Sequence, residues 1–248
     1  LSGVNSYYYR IVPNVVDWSI TDNNGSDSSF TYVLLSGTLP EGPQYFVEAK
    51  AVDAMGNESN VVSSDGFRVD VVSPVSGTVA DGFDSDLTWT NNDGSLVANW
   101  SGFTDAASGI AEYQYSIGTS AGNQNTAPWA TVSGTSFSIN QENLSLVHGT
   151  MYFFNVLAAD SAGNQSSIVS SNGITLDIEA PVITSLKEGE VDDPGFQAND
   201  NTLSLYSDAQ DNLSGINIYQ FSVGTSPGDS DVVAWESFTS EYPNIVFE

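Results

Sequence analysis

Ser108-Gly109-Ile110-Ala-Glu-Tyr113-Gln-Tyr115-Ser-Ile117-Gly-Thr-Ser120 carries an apolar or aromatic side chain at every second position from Tyr113 to Ile117. That period is the signature of a half-buried β-strand. The segment occurs three times. Ser2-Gly3-Val4 leads into Tyr7-Tyr-Tyr-Arg-Ile-Val-Pro13, and Ser214-Gly215-Ile216 leads into Tyr219-Gln-Phe-Ser-Val-Gly-Thr-Ser226. The copies start at positions 2, 108 and 214, a spacing of 106. Two further motifs recur at nearly the same distance. Tyr45 through Asp53, with Gly56, Asn57 and Ser59, matches Tyr152 through Asp160, with Gly163, Asn164 and Ser166, at an offset of 107. Val69-Asp70 and Pro74 match Leu176-Asp177 and Pro181 at that same offset. A unit of this length is too long for a solenoid repeat and suits a whole β-sandwich.

Outward from that strand the pattern continues. Leu96, Ala98 and Trp100 alternate, as do Phe137 and Ile139, and Tyr152, Phe154, Val156 and Ala158 share one strand face. Between them lie turn sequences: Asp105-Ala-Ala-Ser-Gly109, Gly122-Asn123 and Ser161-Ala-Gly163-Asn164. No stretch has helical periodicity with caps, so the chain is expected to be all-β: tandem Ig-like β-sandwich units, one complete and two partial. The register divides it into 1–72, the C-terminal part of a repeat, 73–178, a complete repeat, and 179–248, the N-terminal part of a third. The first copy lacks residues for its opening two strands, and the last stops before its sixth. The chain is therefore expected to be a window on a longer array, the alternative being that neighbouring chains complete one another by swapping.

Composition narrows the function classes. The 248 residues include 31 acidic and 4 basic side chains, a formal charge of −27. Such a surface repels phosphate backbones and anionic lipid, which argues against nucleic-acid binding and against membrane association. No apolar run is long enough for membrane insertion. Cysteine is absent, so neither disulfides nor thiolate metal sites contribute. Strong acidity without cysteine fits an exported bacterial protein of the extracellular medium or cell surface.

Leu146-Val-His-Gly149-Thr-Met-Tyr152, and Leu39-Pro-Glu-Gly42-Pro-Gln-Tyr45 in the preceding copy, resemble the tyrosine corner of fibronectin type III domains. Trp100 stands where that family has its core tryptophan, and Asp-x-x-Gly-Asn resembles its turn between the sixth and seventh strands. The third copy departs by having Tyr206 in place of Trp100. The resemblance implies a fibronectin type III-like sandwich in each copy. It also implies that the second-to-third and sixth-to-seventh strand loops share the pole facing the preceding domain. Asp105 and Asp160 lie in those loops, and Asp70 lies in the segment that enters the pole. Three carboxylates are thus expected to converge at the first junction. Asp177 and Asp211, with Glu179, are expected to do so at the second. Hard oxygen donors in mixed loops suit Ca²⁺. The competing reading is that each Asp caps its own turn.

Other candidates are weaker. His148 is the only histidine and has no cysteine partner for a zinc site. Asp192-Asp193, Asp84 and Asp86 lie in turn-rich stretches with no cleft implied, and the loop Asp81-Gly-Phe-Asp84-Ser-Asp86 lacks the twelve-residue spacing of a calcium loop. No nucleophile elbow or phosphate loop occurs, so no enzymatic activity is expected. Trp18, Trp129 and Trp235 sit at mid-repeat, and Trp129 and Trp235 are the candidates for stacking on a glycan. The expected role is a non-catalytic spacer in a large secreted or cell-surface adhesin, whose partners are neighbouring repeats of the same longer chain, other surface proteins or glycans. The alternative is an accessory region of a secreted polysaccharide-degrading enzyme.

Overall fold

A computed structural model describes residues 3–13, 16–20, 39–132, 136–188, 195–196, 202–239 and 244–246. Ser2, Asp192 and Asp193 lie outside the described residues, and so does the side chain of Trp18. The strands in chain order are β1 (Val4–Val12), β2 (Val16–Ile20), β3 (Gln44–Asp53), β4 (Val62–Ser63), β5 (Phe67–Arg68), β6 (Thr78–Asp81), β7 (Trp89–Thr90), β8 (Leu96–Ser101), β9 (Ile110–Gly118) and β10 (Ala127–Val132). They continue as β11 (Ser138–Gln141), β12 (Met151–Asp160), β13 (Val169–Ser170), β14 (Ile174–Leu176), β15 (Val182–Glu188), β16 (Thr202–Gln210), β17 (Tyr219–Val223), β18 (Val233–Phe238) and β19 (Asn244–Val246). No helix occurs among the described residues, and none is long and apolar enough to cross a membrane.

The middle of the chain folds as two facing sheets. One runs β10-β9-β12-β14-β7, with β13 also on β12, and the other runs β11-β8-β6. The period-2 alternation read from the sequence sets which side chains meet. In β8 it buries Leu96, Ala98 and Trp100. Across the sandwich, β9 and β12 pair so that Ile117 faces Phe154, Tyr115 faces Val156 and Tyr113 faces Ala158. All six are buried, in one cluster with Trp100. Tyr113 anchors the aromatic part, with ring centroids 5.6 Å from both Trp100 and Phe103, the latter edge-on. Each fully buried apolar side chain of this size contributes roughly 1.5–3 kcal/mol. Phe137 departs from expectation: it precedes β11 and is exposed, while its carbonyl accepts the Trp100 amide at 2.8 Å.

The flanking segments repeat parts of this plan. The first is a single sheet, β2-β1-β3-β4 with β5 on β3. Tyr45 is buried, but Val47, Ala49 and Ala51, at positions equivalent to Phe154, Val156 and Ala158, are only partly covered. Among the described residues no second sheet lies on them. The last segment forms β15-β16-β19 and, separately, the hairpin β17-β18. An open apolar cleft of about 680 Å³ lies between these, lined among others by Leu203, Leu205, Phe221 and Phe238.

Candidate cation site at the repeat junction

Asp105 follows β8 in a tight turn. Its Oδ1 accepts the amides of Ala107, Ser108 and Gly109 at 3.1, 2.9 and 2.8 Å. Gly109 closes that turn with φ of 74°, a conformation costly for a residue with a Cβ. Asp160 ends β12 in a second turn of the same kind. Its Oδ1 accepts the amides of Ala162 and Asn164, both at 2.9 Å, and its Oδ2 accepts Nδ2 of Asn164 at 2.8 Å. Both carboxylates therefore do cap their own turns, as the competing sequence reading required.

They are also brought together. Asp70 enters from the preceding repeat, and its Oδ2 accepts the Ser108 amide at 3.1 Å. Its carbonyl accepts Nδ2 of Asn164 at 3.2 Å. Past Pro74 the linker docks on the same pole: Val75 and Thr104 exchange amide–carbonyl bonds of 2.8 and 3.2 Å, and Ser76 Oγ donates to the Ser167 carbonyl at 3.1 Å. As a result one carboxylate oxygen from each of Asp70, Asp105 and Asp160 lies within 4.8 Å of the other two. No lysine or arginine pairs with this trio among the described residues. Asp160 is 3% exposed. Burial pushes its carboxyl up, but the hydrogen bonds from Asn164 and the turn amides outweigh that and hold it below the usual carboxylate range. An oxygen-only trio of this kind has the chemistry of a hard-cation site.

At the second junction Asp177 Oδ2 accepts the Ser214 amide at 3.0 Å, one repeat on from the Asp70–Ser108 bond. Asp211 Oδ1 accepts the amides of Leu213 and Gly215 at 3.0 and 2.8 Å. Bonding from Ser214, against the effect of burial and with help from the Glu179 amide and His148, keeps the Asp177 carboxyl below its usual range. Among the described residues no third carboxylate joins Asp177 and Asp211 in such a group. His148 does have a place here. Its Nδ1 accepts the Ile178 amide at 3.3 Å, and its ring nitrogens lie 3.6 and 3.5 Å from Asp177 and Glu179. The equivalent corner position in the first copy is Glu41, whose Oε1 accepts the Val71 amide at 2.7 Å. The sequence reading had Asn164 only as a turn residue and His148 only as a poor zinc ligand, and it missed Glu41. The offset of 107 pairs Glu41 with His148 and the Val71 amide with that of Ile178, which was the available signal.

Trp129 lies on β10, partly buried, and Trp235 lies on β18, 65% exposed at the rim of the open cleft.

No protein-family model matches the sequence, and no curated protein matches it. Solved structures similar to this chain are fibronectin III-like domains and titin domains. The FN1–FN3 domains of chicken CNTN1 share 20% identity over 69% of this chain and 56% of theirs, with a TM-score of 0.40. The fibronectin(III)-like modules of Clostridium thermocellum CbhA share 15% identity over 71% of this chain and 80% of theirs, with a TM-score of 0.38. Domains from titin share 18% identity over 70% of this chain and 55% of theirs, again with a TM-score of 0.38. The chain thus spans little more than half the length of two of these three. The fibronectin type III-like fold is carried by the chain's own strand order and its two corner tyrosines, where Tyr152 Oη accepts the Val147 amide at 2.8 Å and Tyr45 Oη donates to the Pro40 carbonyl at 2.9 Å.

Proposed function

We propose that the chain is a run of non-catalytic spacer repeats in a secreted or cell-surface protein, with junctions stiffened by Ca²⁺ bound between Asp70, Asp105 and Asp160. One observation supports this reading above others. The linker carboxylate bonds the amide of the serine within the first pole turn, and does so at both junctions: Asp70 to Ser108 and Asp177 to Ser214. A sandwich that simply followed another on a slack tether would need no such recurring bond. In this role length and stiffness are the function, and the partners are the neighbouring repeats. A divalent ion would offset the mutual repulsion of the trio and of the acidic surface around it.

Calorimetric titration of the full chain with CaCl₂ after chelation tests the metal part. One equivalent per chain is expected, and it should vanish in Asp105→Asn, which removes charge but keeps an oxygen for the turn amides. Because a ligand at 100 times its Kd adds about 2.7 kcal/mol to stability, the unfolding midpoint should also rise with Ca²⁺. Absence of heat and an unchanged midpoint would refute the bridging ion.

A second reading, an accessory region of a polysaccharide-degrading enzyme, is favoured by the exposure of Trp235 beside the stacked pair Tyr219 and Phe238, whose centroids are 5.5 Å apart. Tryptophan fluorescence would then respond to a soluble polysaccharide, and lose the response in Trp235→Ala. No change in the unmodified chain would dispose of that reading.

A further inference from the structure

The complete repeat has a buried acid unrelated to its junctions. Strand β6 ends at Asp81, whose side chain is 0% exposed. Its Oδ2 accepts the amide of Gly173 at 3.1 Å, immediately before β14. Its Oδ1 is buried without a hydrogen-bond partner. Asp86 stands beside it: one oxygen accepts the Asp81 amide at 3.0 Å, and the other accepts Nδ2 of Asn172 at 2.8 Å. Two carboxylates from the first strand and its loop thus hold residues 172 and 173, the entry to the last strand. The contact joins the two sheets of the sandwich at one edge.

The charges around Asp81 all have one sign. Asp86 faces it directly. Asp84 is on the exposed part of the same loop. β8, which pairs with β6, β13 and β14 carry no titratable side chain. On β12 the Tyr152 hydroxyl is turned to Val147, and Asp160 lies six residues beyond Phe154, whose amide bonds Ser171, or about 20 Å along the strand. The four basic residues, Arg10, Lys50, Arg68 and Lys187, lie outside all of these segments. An ionised Asp81 would therefore be buried with one oxygen bare and a second carboxylate as its neighbour, with no cation to offset either.

We propose that Asp81 is an acid-strengthened latch between the first and last strands of the complete repeat, closing tighter when it takes up a proton. Uptake on the bare oxygen removes the charge that burial penalises and the repulsion from Asp86, while the Gly173 bond to Oδ2 remains. Burial is the largest influence and Asp86 adds to it, while the nearby Ser171 hydroxyl and the Gly173 amide oppose both; together they push the carboxyl from 3.8 up to about 6. Because the folded form holds its proton more tightly than the unfolded chain, the latch's contribution is fully present below about 4 and is lost as pH rises through about 6. The sign is opposite to that of Asp160 and Asp177, whose carboxyls are held down in the folded chain and lose their contribution in acid.

Amide exchange at Gly173 and Thr175 in the full chain, corrected for intrinsic rates, reads the latch locally. Between pH 7.5 and 5, protection in the natural sequence should rise by about tenfold more than in Asp81→Asn, which is neutral throughout. The variant should already be better protected at pH 7.5. Carboxyl NMR titration of the unmodified chain gives a second readout if the variant fails to fold. An Asp81 midpoint near 6 is expected. A midpoint near 4, or equal acid responses of chain and variant, would overturn the latch.

Discussion

Tyr45 and Tyr152 occupy one position in two copies and make hydrogen bonds of opposite sense. The residue five places earlier is Val147 in one copy and Pro40 in the other. Val147 has an amide, and Tyr152 accepts it. Proline has none, so Tyr45 turns its hydroxyl to donate to the carbonyl. Only a group that both donates and accepts survives that substitution, which explains tyrosine rather than phenylalanine at the corner. Tyr152→Phe is expected to lower the stability of the complete repeat by about 1 kcal/mol, the usual net worth of such a bond, as read by denaturant unfolding. The corner itself was legible from Leu-x-x-Gly-x-x-Tyr, and so were the buried faces of β8, β9 and β12. The sense of the bond was not legible, because it depends on which backbone group the turn presents to the hydroxyl.

At the scale of strands and loops, it was the resemblance to fibronectin type III topology, with two named loops at one pole, that pointed to Asp70, Asp105 and Asp160 together, and in the structure one carboxylate oxygen of each lies within 4.8 Å of the other two. What escaped it is how fully these carboxylates are occupied by turn amides, and how Asn164 reaches from its own turn to the Asp70 carbonyl. Those bonds depend on loop-to-loop distance, which has no periodic trace in a sequence. Asp177 is the clearest case for a pH test. Its carboxyl is held down in the folded chain, chiefly by Ser214. Its contribution is therefore present above the unfolded value near 3.8 and lost as pH falls through the folded value. Exchange at the Ser214 amide should accelerate, relative to intrinsic rates, as the chain is taken from pH 6 to pH 3. Asp177→Asn should show less of that acceleration, and an identical profile for chain and variant would count against the bond.

Across the whole molecule, one closed sandwich stands between a lone sheet and an open pair of sheets. The inner faces on either side are only partly covered: Val47 and Ala49 in the first and Phe221 in the last stand at the positions of Phe154, Val156 and Tyr115, which the complete copy buries. With no cysteine in the sequence, two introduced ones make a clean ruler across the first junction. Spin labels at Asn60→Cys and Ala121→Cys, both exposed positions on either side of it, report the separation of the lone sheet and the closed sandwich. A linker docked through Asp70, Val75 and Ser76 predicts a single narrow distance distribution, narrower with Ca²⁺ and broadened by Asp70→Ala. A broad distribution in the unmodified chain, indifferent to both Ca²⁺ and the loss of Asp70, would contradict a stiff, carboxylate-fixed junction.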